Sequence, residues 1–164
     1  MILIVTGVAG SGKTTVGRAA AERLGWRFRD ADDLHDAQAI TRIRAGLPLD
    51  DDSRGPWLQR VRVAIDEAVA ANEPTVFACS ALKERYRQVL ARGVPHVRFV
   101  FLAADEELLR GRLTDREGHF AGPSLLASQL AALEPPAYGL HLDARLPVDE
   151  LAERIAEYAR ERPA

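Results

Sequence analysis

The chain has 164 residues, of which 47% are hydrophobic and 28% are charged, and its formal net charge is −2. These values are typical of one globular domain with one core and exclude the strongly basic balance of most nucleic-acid-binding proteins, so we expect no nucleic-acid partner. The single cysteine, Cys79, excludes an internal disulfide framework, and no apolar run approaches the roughly 20 residues that span a bilayer. We therefore expect no membrane contact and a cytoplasmic location.

Short apolar runs alternate with helical patterns along the chain. Strands are predicted at residues 2–6, 27–30, 75–79, 97–102 and 139–142. Helices are predicted at residues 14–24, 37–45, 54–71, 83–92, 106–113, 123–133 and 148–160. This alternation indicates an α/β fold in one domain over residues 1–164, with a parallel five-stranded sheet flanked by helices. Two segments, about 31–53 and 116–122, do not fit as simple crossovers and lie where α/β proteins place ligand loops.

A glycine-rich segment follows the first predicted strand and matches G-x-x-x-x-G-K-[ST] at every fixed position. Its residues are Gly7, Val8, Ala9, Gly10, Ser11, Gly12, Lys13 and Thr14, with Thr15 next in the predicted helix. The glycines let backbone N–H groups turn towards phosphate oxygens, and the helix N-terminus adds the positive end of its dipole. Lys13 is predicted to reach the β- and γ-phosphates of a nucleoside triphosphate, and the Thr14 hydroxyl to ligate Mg²⁺.

Carboxylates follow the second predicted strand, at the same edge of the sheet as the glycine loop. Asp30 and Asp32 share one side if the extended chain continues. Such a carboxylate can accept the proton of an acceptor hydroxyl or hold a Mg²⁺-bound water; the alternative is an acidic loop that caps the next helix. The later run 50–52 is interpreted mainly as dipole complementation before Ser53, a predicted N-cap, with Pro56 in the first helical turn.

Basic residues form a candidate flap near the end of the fifth predicted helix. Arg112 and Arg116 are four residues apart on one helical face and lead into a short loop that contains His119. Guanidinium groups on such a flap can stack on a base or pair with transferring phosphate, and the alternative is a solvated helix end. We predict a lid at about residues 112–123.

Other cations and histidines are candidates for binding an anionic or polyol acceptor. Lys83 and Arg87 follow the third strand, although a plain basic helix start explains them equally well. Arg54 lies near Trp57 and offers either an anion site or a packing contact. His35 and His119 are candidate hydrogen-bond donors to hydroxyl groups.

Together these motifs resemble one family, the P-loop gluconate kinases, often called thermoresistant gluconokinases. The phosphate loop is shared by many families, whereas the other blocks are far more specific. The matching blocks are G-V-A-G-S-G-K-T at 7–14, D-A-D-D-L-H at 30–35, G-L-P-L-D-D at 46–51, R-G-P-W-L at 54–58, C-S-A-L-K at 79–83, Y-R at 86–87, G-H-F at 118–120 and S-Q-L-A-A-L-E at 128–134.

The resemblance implies ATP, Mg²⁺ and D-gluconate as reactants, with 6-phosphogluconate and ADP as products. It also implies a fold like that of nucleoside monophosphate kinases, with a lid, and in many members a homodimer. Lys13, Asp32 and Arg116 become the expected catalytic residues, with Arg112 on the nucleotide. The segment at about 31–58 becomes the acceptor-binding segment.

The chain departs from the family pattern inside that acceptor segment. The family commonly has Gly at the position of Ala31, Pro at Asp36, Asn at Ala39, Lys at Arg42 and Asp at Ser53. Two alternatives therefore stay open: another small-molecule kinase on this scaffold, of shikimate or nucleotide type, and a regulatory module that binds ATP without turning it over. The segment 30–58 favours the gluconate family over the first, and Lys13, Thr14 and Asp32 favour an enzyme over the second.

Overall fold

A computed structural model describes residues 1–94, 96–114 and 123–161 of the chain. The strands are β1 (Ile2–Thr6), β2 (Arg27–Asp30), β3 (Thr75–Ala78), β4 (Val97–Ala103) and β5 (Leu140–Asp143). The helices are α1 (Lys13–Leu24), α2 (Ala37–Arg44), α3 (Asp51–Ala70), α4 (Glu84–Ala91), α5 (Glu106–Thr114), α6 (Pro123–Ala132) and α7 (Val148–Arg160), with a 3₁₀ turn at Ala31–Leu34.

The five strands form one parallel sheet in the order β2-β3-β1-β4-β5, which confirms the predicted α/β fold. Strand β1 occupies the centre, and all five of its residues are buried. Its neighbours pair in register from the same end, with Ile2 opposite both Thr75 and Val97. A strand covered on both faces reads as a continuous apolar run, which explains the pattern of residues 2–6.

Two hydrophobic clusters lie on opposite faces of the sheet. On one face, Trp57 and Ile65 of α3 pack with Phe77 of β3. On the other, Val16 of α1 packs with Leu151 of α7. Because the helices cover both faces, the free carboxyl edge of the sheet is where the loops after β1, β2 and β3 converge.

Helix α3 begins three residues before the predicted start, and the predicted cap at Ser53 is wrong. Asp50 is the N-cap, since its carboxylate accepts a hydrogen bond from the Ser53 amide at 2.8 Å. The acidic residues Asp51 and Asp52 then occupy the first turn, where the helix dipole favours negative charge. Pro56 consequently lies in the second turn of the helix rather than the first.

None of the helices within these described ranges is long and apolar enough to cross a membrane.

Candidate active site

The phosphate loop joins the end of β1 to the start of α1, as its motif predicts. Gly7, Gly10 and Gly12 all adopt positive φ angles of 150°, 82° and 97°. At Gly7 an added Cβ would lie 2.8 Å from Ser11 Oγ and 2.9 Å from the Leu102 carbonyl oxygen, so no larger residue fits there. The glycines thus keep the loop narrow and turn its backbone towards the cleft.

Lys13 and Ser11 present polar groups on this loop. The Lys13 ammonium donates a hydrogen bond to the Val8 carbonyl at 3.0 Å, across the mouth of the loop. Ser11 is buried, and its Oγ has no hydrogen-bond partner among the described residues. A buried hydroxyl without a protein partner is costly unless another group satisfies it, so this arrangement suits an added ligand.

Arg112 contacts the phosphate loop from α5. Its guanidinium donates to the carbonyl of Gly10 at 3.3 Å and that of Ser11 at 3.1 Å, and it also reaches the Ala144 carbonyl. Arg112 therefore packs on the loop where a nucleotide would be held. Arg116, His119 and most of the predicted lid lie outside the described residues.

Thr14 and Asp30 come together directly beside the loop. The Thr14 hydroxyl donates to Asp30 Oδ2 at 2.6 Å, and Asp30 Oδ1 accepts from the Asp32 amide at 3.0 Å. A hydroxyl and a carboxylate supply the oxygen ligands that Mg²⁺ prefers, so these residues fit the cation directly or through its waters. In the described part of the chain, no group of three or more His, Cys, Asp and Glu side chains is arranged so that it could hold a metal ion by itself.

Asp32 projects into the cleft from the 3₁₀ turn that follows β2. Surrounding protein raises the pKa of Asp32 because it disfavours the ionised carboxylate, and the nearby Lys13 ammonium opposes this rise. Water still reaches the carboxylate, whose side chain is 69% exposed. We therefore expect Asp32 to be ionised at neutral pH and able to accept a proton.

His35 and Trp57 form a stacked pair in the wall of the same cleft. Their rings are parallel within 8°, with centroids 4.7 Å apart, and the buried Trp57 donates from Nε1 to the Ala31 carbonyl at 2.7 Å. The His35 side chain is 8% exposed, and its Nδ1 has no hydrogen-bond partner in the described ranges. Burial, together with the positive charges of Arg54 and Arg60, lowers the pKa of His35 to about 4, so the ring is neutral at pH 7.

Arg54 lies at the far side of this wall. Its Nε donates to the Leu49 carbonyl at 3.0 Å, and its guanidinium lies 6.0 Å from the centre of the Tyr86 ring. These contacts leave further N–H groups of the guanidinium to face a ligand, since an arginine carries five donors. Arg54 therefore packs against neighbouring residues and also lines the cleft, so the packing contact and the anion site that the sequence suggested as alternatives are compatible.

A single cleft of about 760 Å³ joins these groups. The phosphate loop and the acceptor segment both line it, and we call these two parts the phosphate end and the acceptor end of the cleft. The sequence-predicted residues that line it are Ala9, Gly10, Gly12, Lys13, Thr14, Thr15, Asp32, His35 and Arg54. Its other walls come from Asp30, Asp33, Ile40, Ile43, Arg44, Leu49, Trp57, Ser80, Leu125 and Gln129.

Lys83 and Arg87 do not line this cleft, in contrast to the prediction. The Lys83 ammonium pairs with both carboxylate oxygens of Asp51 at 3.1 Å. The Arg87 side chain is only 1% exposed and donates to the carbonyls of Ala81, Leu82 and Glu134. Arg87 thus satisfies buried backbone acceptors around the loop after β3, which explains why a cation is buried there.

Two of the residues that depart from the family pattern, Asp36 and Arg42, form hydrogen bonds with nearby residues. Asp36 caps α2 by accepting from the Ala39 amide at 2.8 Å, and its carboxylate lies 3.3 Å from the Arg60 guanidinium. Arg42 donates to the Pro48 carbonyl at 3.4 Å. Asp36 therefore starts α2 by capping it with its side chain, at a position where the family commonly has a proline. Helix α2 still contributes Ile40 to the cleft wall.

Sequence reasoning assigned no role to Gln129 and no fixed role to Asp30. Gln129 Oε1 accepts a hydrogen bond from the Ala9 amide at 2.7 Å, although the two residues are 120 positions apart. Gln129 belongs to the block S-Q-L-A-A-L-E at 128–134, which resembles the gluconate kinase family, but only the folded chain places this residue on the phosphate loop. The signal for Asp30 was its position at the end of β2, next to Asp32.

Comparison with known proteins places these features in a family. A sequence model described as an AAA domain matches residues 2–136. The thermosensitive gluconokinase of Escherichia coli strain K12 is 39% identical over 158 residues, which span 96% of this chain and 84% of that protein.

Two solved structures extend the likeness to the fold. The unliganded structure of a sugar kinase from Janibacter sp. HTCC2649 has a TM-score of 0.90 and 41% identity, and covers 96% of this chain and 92% of its own. A gluconokinase from Sinorhizobium meliloti 1021 has a TM-score of 0.83 and 40% identity, with coverage of 96% and 90%. Since the identity and the coverage are high for both the curated relative and the solved structures, the chain belongs to the gluconokinase family of P-loop kinases.

Proposed function

We propose that this protein transfers the γ-phosphoryl group of ATP to the terminal hydroxyl of D-gluconate, giving 6-phospho-D-gluconate and ADP. The observation that carries the proposal is the layout of the single cleft. Lys13 and the phosphate loop form one end, Arg54 and the His35–Trp57 pair form the other, and Asp32 lies with them in the same cleft. Gluconate has a matching layout, with a reactive hydroxyl at one end and a carboxylate at the other.

At the phosphate end, the loop amides and the Lys13 ammonium hold the triphosphate. Thr14 and Asp30 would hold Mg²⁺, which would neutralise charge on the phosphate oxygens. Phosphoryl transfer needs little covalent chemistry from the protein, so positioning and charge neutralisation dominate catalysis. Arg112 contributes by keeping the loop in place against α5.

Asp32 acts on the acceptor hydroxyl. Its carboxylate accepts a hydrogen bond from the hydroxyl group and orients the oxygen towards the γ-phosphorus. As the new P–O bond forms, the bond from the γ-phosphorus to the β–γ bridging oxygen breaks, ADP leaves, and Asp32 takes the proton of the hydroxyl group. A pKa raised by the surrounding protein makes Asp32 a stronger base than an ordinary surface aspartate.

Arg54 and His35 recognise the remainder of the acceptor. The guanidinium of Arg54 pairs with the carboxylate of gluconate, because its planar fork suits two parallel hydrogen bonds. The neutral His35 ring can both donate and accept one hydrogen bond, which suits the hydroxyl groups along the sugar chain. Trp57 keeps the ring in this orientation by stacking on it.

We further propose roles for two residues of the predicted lid, a cellular location and an oligomeric state. Arg116 stabilises the transferring phosphoryl group and His119 contacts the acceptor, both from the predicted lid. The protein works in the cytoplasm as a homodimer and binds no nucleic acid. Lys83 and Arg87 are left out of the acceptor site because of their contacts with Asp51 and with backbone carbonyls.

A matched acceptor panel tests the proposed reaction. The purified protein is assayed for ADP release with Mg·ATP and D-gluconate, D-glucitol, shikimate or AMP; glucitol is gluconate with the carboxylate replaced by an alcohol. We expect gluconate to exceed glucitol in kcat/KM by roughly 10- to 150-fold, the effect of one charge-assisted hydrogen bond. Equal use of glucitol, preference for shikimate or AMP, or no ADP release with any acceptor would each contradict the proposal.

A further inference from the structure

Gln129 is held at the phosphate loop by a rigid helix. Leu125 and Leu126, in the first turns of α6, are buried, and Leu126 packs with Val8 and Leu82. Just beyond the end of the same helix, the Glu134 amide donates to the Leu82 carbonyl at 2.9 Å. With both ends of the segment fixed, the Gln129 side chain is presented to the loop in a defined position.

The contact with Ala9 determines how the Gln129 carboxamide is turned. A backbone N–H can bond only to an acceptor, so the atom 2.7 Å from the Ala9 nitrogen is the carboxamide oxygen. The NH₂ group of Gln129, with two donors, therefore points away from the Ala9 amide. Since Gln129 also lines the cleft, this NH₂ group is the polar group that it can offer to a ligand.

The position of Ala9 identifies which part of a ligand Gln129 faces. Ala9 follows Val8, whose carbonyl accepts a hydrogen bond from the Lys13 ammonium at 3.0 Å. In P-loop proteins this lysine serves the β- and γ-phosphates, so Val8 and Ala9 flank the distal end of a bound triphosphate. From its place in the cleft lining, the NH₂ group of Gln129 would then face the terminal phosphoryl group.

We propose that Gln129 recognises the γ-phosphoryl group of ATP by donating a hydrogen bond from its NH₂ group to a γ-phosphate oxygen, while its oxygen anchors the Ala9 amide. The residue then distinguishes ATP from ADP and helps to position the group that is transferred. This inference rests on the proposed use of ATP but not on the identity of the acceptor.

Substitution by glutamate separates the two functions of the side chain. Gln129→Glu keeps an oxygen for the Ala9 amide and replaces the NH₂ donor with a carboxylate oxygen, which repels phosphate. Gln129→Met removes both functions at similar size. Gln59→Glu and Gln59→Met are matched controls for the same chemical changes, because Gln59 is an exposed residue of α3 that does not line the cleft.

Calorimetric titration with Mg·AMP-PNP and with Mg·ADP, in the absence of any acceptor, tests the inference. For Gln129→Glu we expect the Kd for AMP-PNP to rise by roughly 10- to 100-fold and the Kd for ADP to change by less than about threefold. Gln129→Met should raise the AMP-PNP Kd less than Gln129→Glu because it adds no repulsion, and the Gln59 variants should match wild type.

Two results would overturn the assignment of Gln129. If Gln129→Glu binds both nucleotides like wild type, the NH₂ group does not contact the γ-phosphoryl group. If it weakens both nucleotides equally, the residue only anchors the loop. Thermal unfolding identifies a variant that fails to fold. If Gln129→Glu fails to fold, Gln129→Met is titrated instead, and its Kd should rise more for AMP-PNP than for ADP; an equal rise for both would overturn the assignment. Because no acceptor is present, failure of the gluconate proposal would leave this test unaffected.

Discussion

The two ends of the cleft are built in different ways. The phosphate end comes from one continuous segment, residues 7–14, and works mainly through backbone groups and the Lys13 side chain. The acceptor end is built from side chains of separate elements: His35 follows the 3₁₀ turn, whereas Arg54 and Trp57 belong to α3. A backbone-built site can be recognised from a local motif, whereas a site built from distant side chains depends on how the chain packs.

The two ends also differ in how charge is used. Lys13 supplies a positive charge for phosphate, whereas at the acceptor end burial, together with the charges of Arg54 and Arg60, lowers the pKa of His35 and keeps its ring neutral. The acceptor end thus combines a cation for a carboxylate with an uncharged ring for hydroxyl groups. Substitutions at the two ends should therefore differ in their effects on kcat, on the KM for ATP and on the KM for gluconate.

Lys13→Ala should have the largest effect, because it removes the cation of the phosphate end. We expect kcat/KM to fall by about 100- to 1000-fold with the fold unchanged, since Lys13 lines the cleft and belongs to none of the hydrophobic clusters of the described residues. Steady-state kinetics and thermal unfolding measure both quantities. Near-normal turnover would show that Lys13 does not serve the transferred group.

Asp32→Asn should lower kcat by about 100-fold or more while changing the KM for gluconate little, because it removes the proton acceptor and keeps the shape. Asp149→Asn, at an exposed position in the first turn of α7, is the matched control. A rise in the gluconate KM without a fall in kcat would assign Asp32 to binding rather than to proton transfer.

Arg54→Ala should raise the KM for gluconate by roughly 10- to 150-fold and leave the KM for ATP nearly unchanged, since it removes one charge-assisted hydrogen bond at the acceptor end. Lys83→Ala tests the neighbouring cation that the sequence also suggested. Its ammonium pairs with Asp51 outside the cleft, so we expect less than about a threefold change in either KM. The reverse ranking of these two variants would move the carboxylate site to Lys83.

The effect of His35 should appear in the pH dependence of stability. Its pKa of about 4 lies below the usual value near 6.5, so between these pH values the unfolded chain binds more protons than the folded chain. The contribution of His35 to stability is therefore complete above pH 6.5 and is lost as the pH falls towards 4. Denaturant unfolding of wild type and His35→Gln across this window should show a steeper pH dependence for wild type, and an NMR titration of His35 near 6.5 would contradict the assignment.

Much of the fold followed from local sequence patterns. The apolar run at residues 2–6 predicted a buried strand of a parallel sheet, and the structure confirmed it because all five residues of β1 are buried. The cap of α3 was wrong because Asp50 and Ser53 both have capping side chains, and only the folded backbone shows that the Asp50 carboxylate reaches the Ser53 amide.

The acceptor side was less predictable because side-chain direction and long-range contacts decide it. From the sequence, Arg87 is expected to be an exposed cation near the start of a helix. In the folded chain it is buried and donates hydrogen bonds to carbonyl groups of two separate segments. Gln129 lies 120 residues from Ala9, so no local pattern could place it on the phosphate loop. His35 was proposed as a ligand from its position alone, and its stacking on Trp57 supplies the physical reason for its orientation.

The position of the transferred phosphate tests the two-ended cleft most directly. Wild-type protein is incubated with Mg·ATP and uniformly ¹³C-labelled D-gluconate, and the product is analysed by carbon and phosphorus NMR. If Arg54 holds the carboxylate while Asp32 activates the opposite hydroxyl, phosphorus coupling should appear at the terminal carbon, C6, and its neighbour C5. Phosphate on any other carbon, or no phosphorylated gluconate, would contradict the proposed orientation of the acceptor.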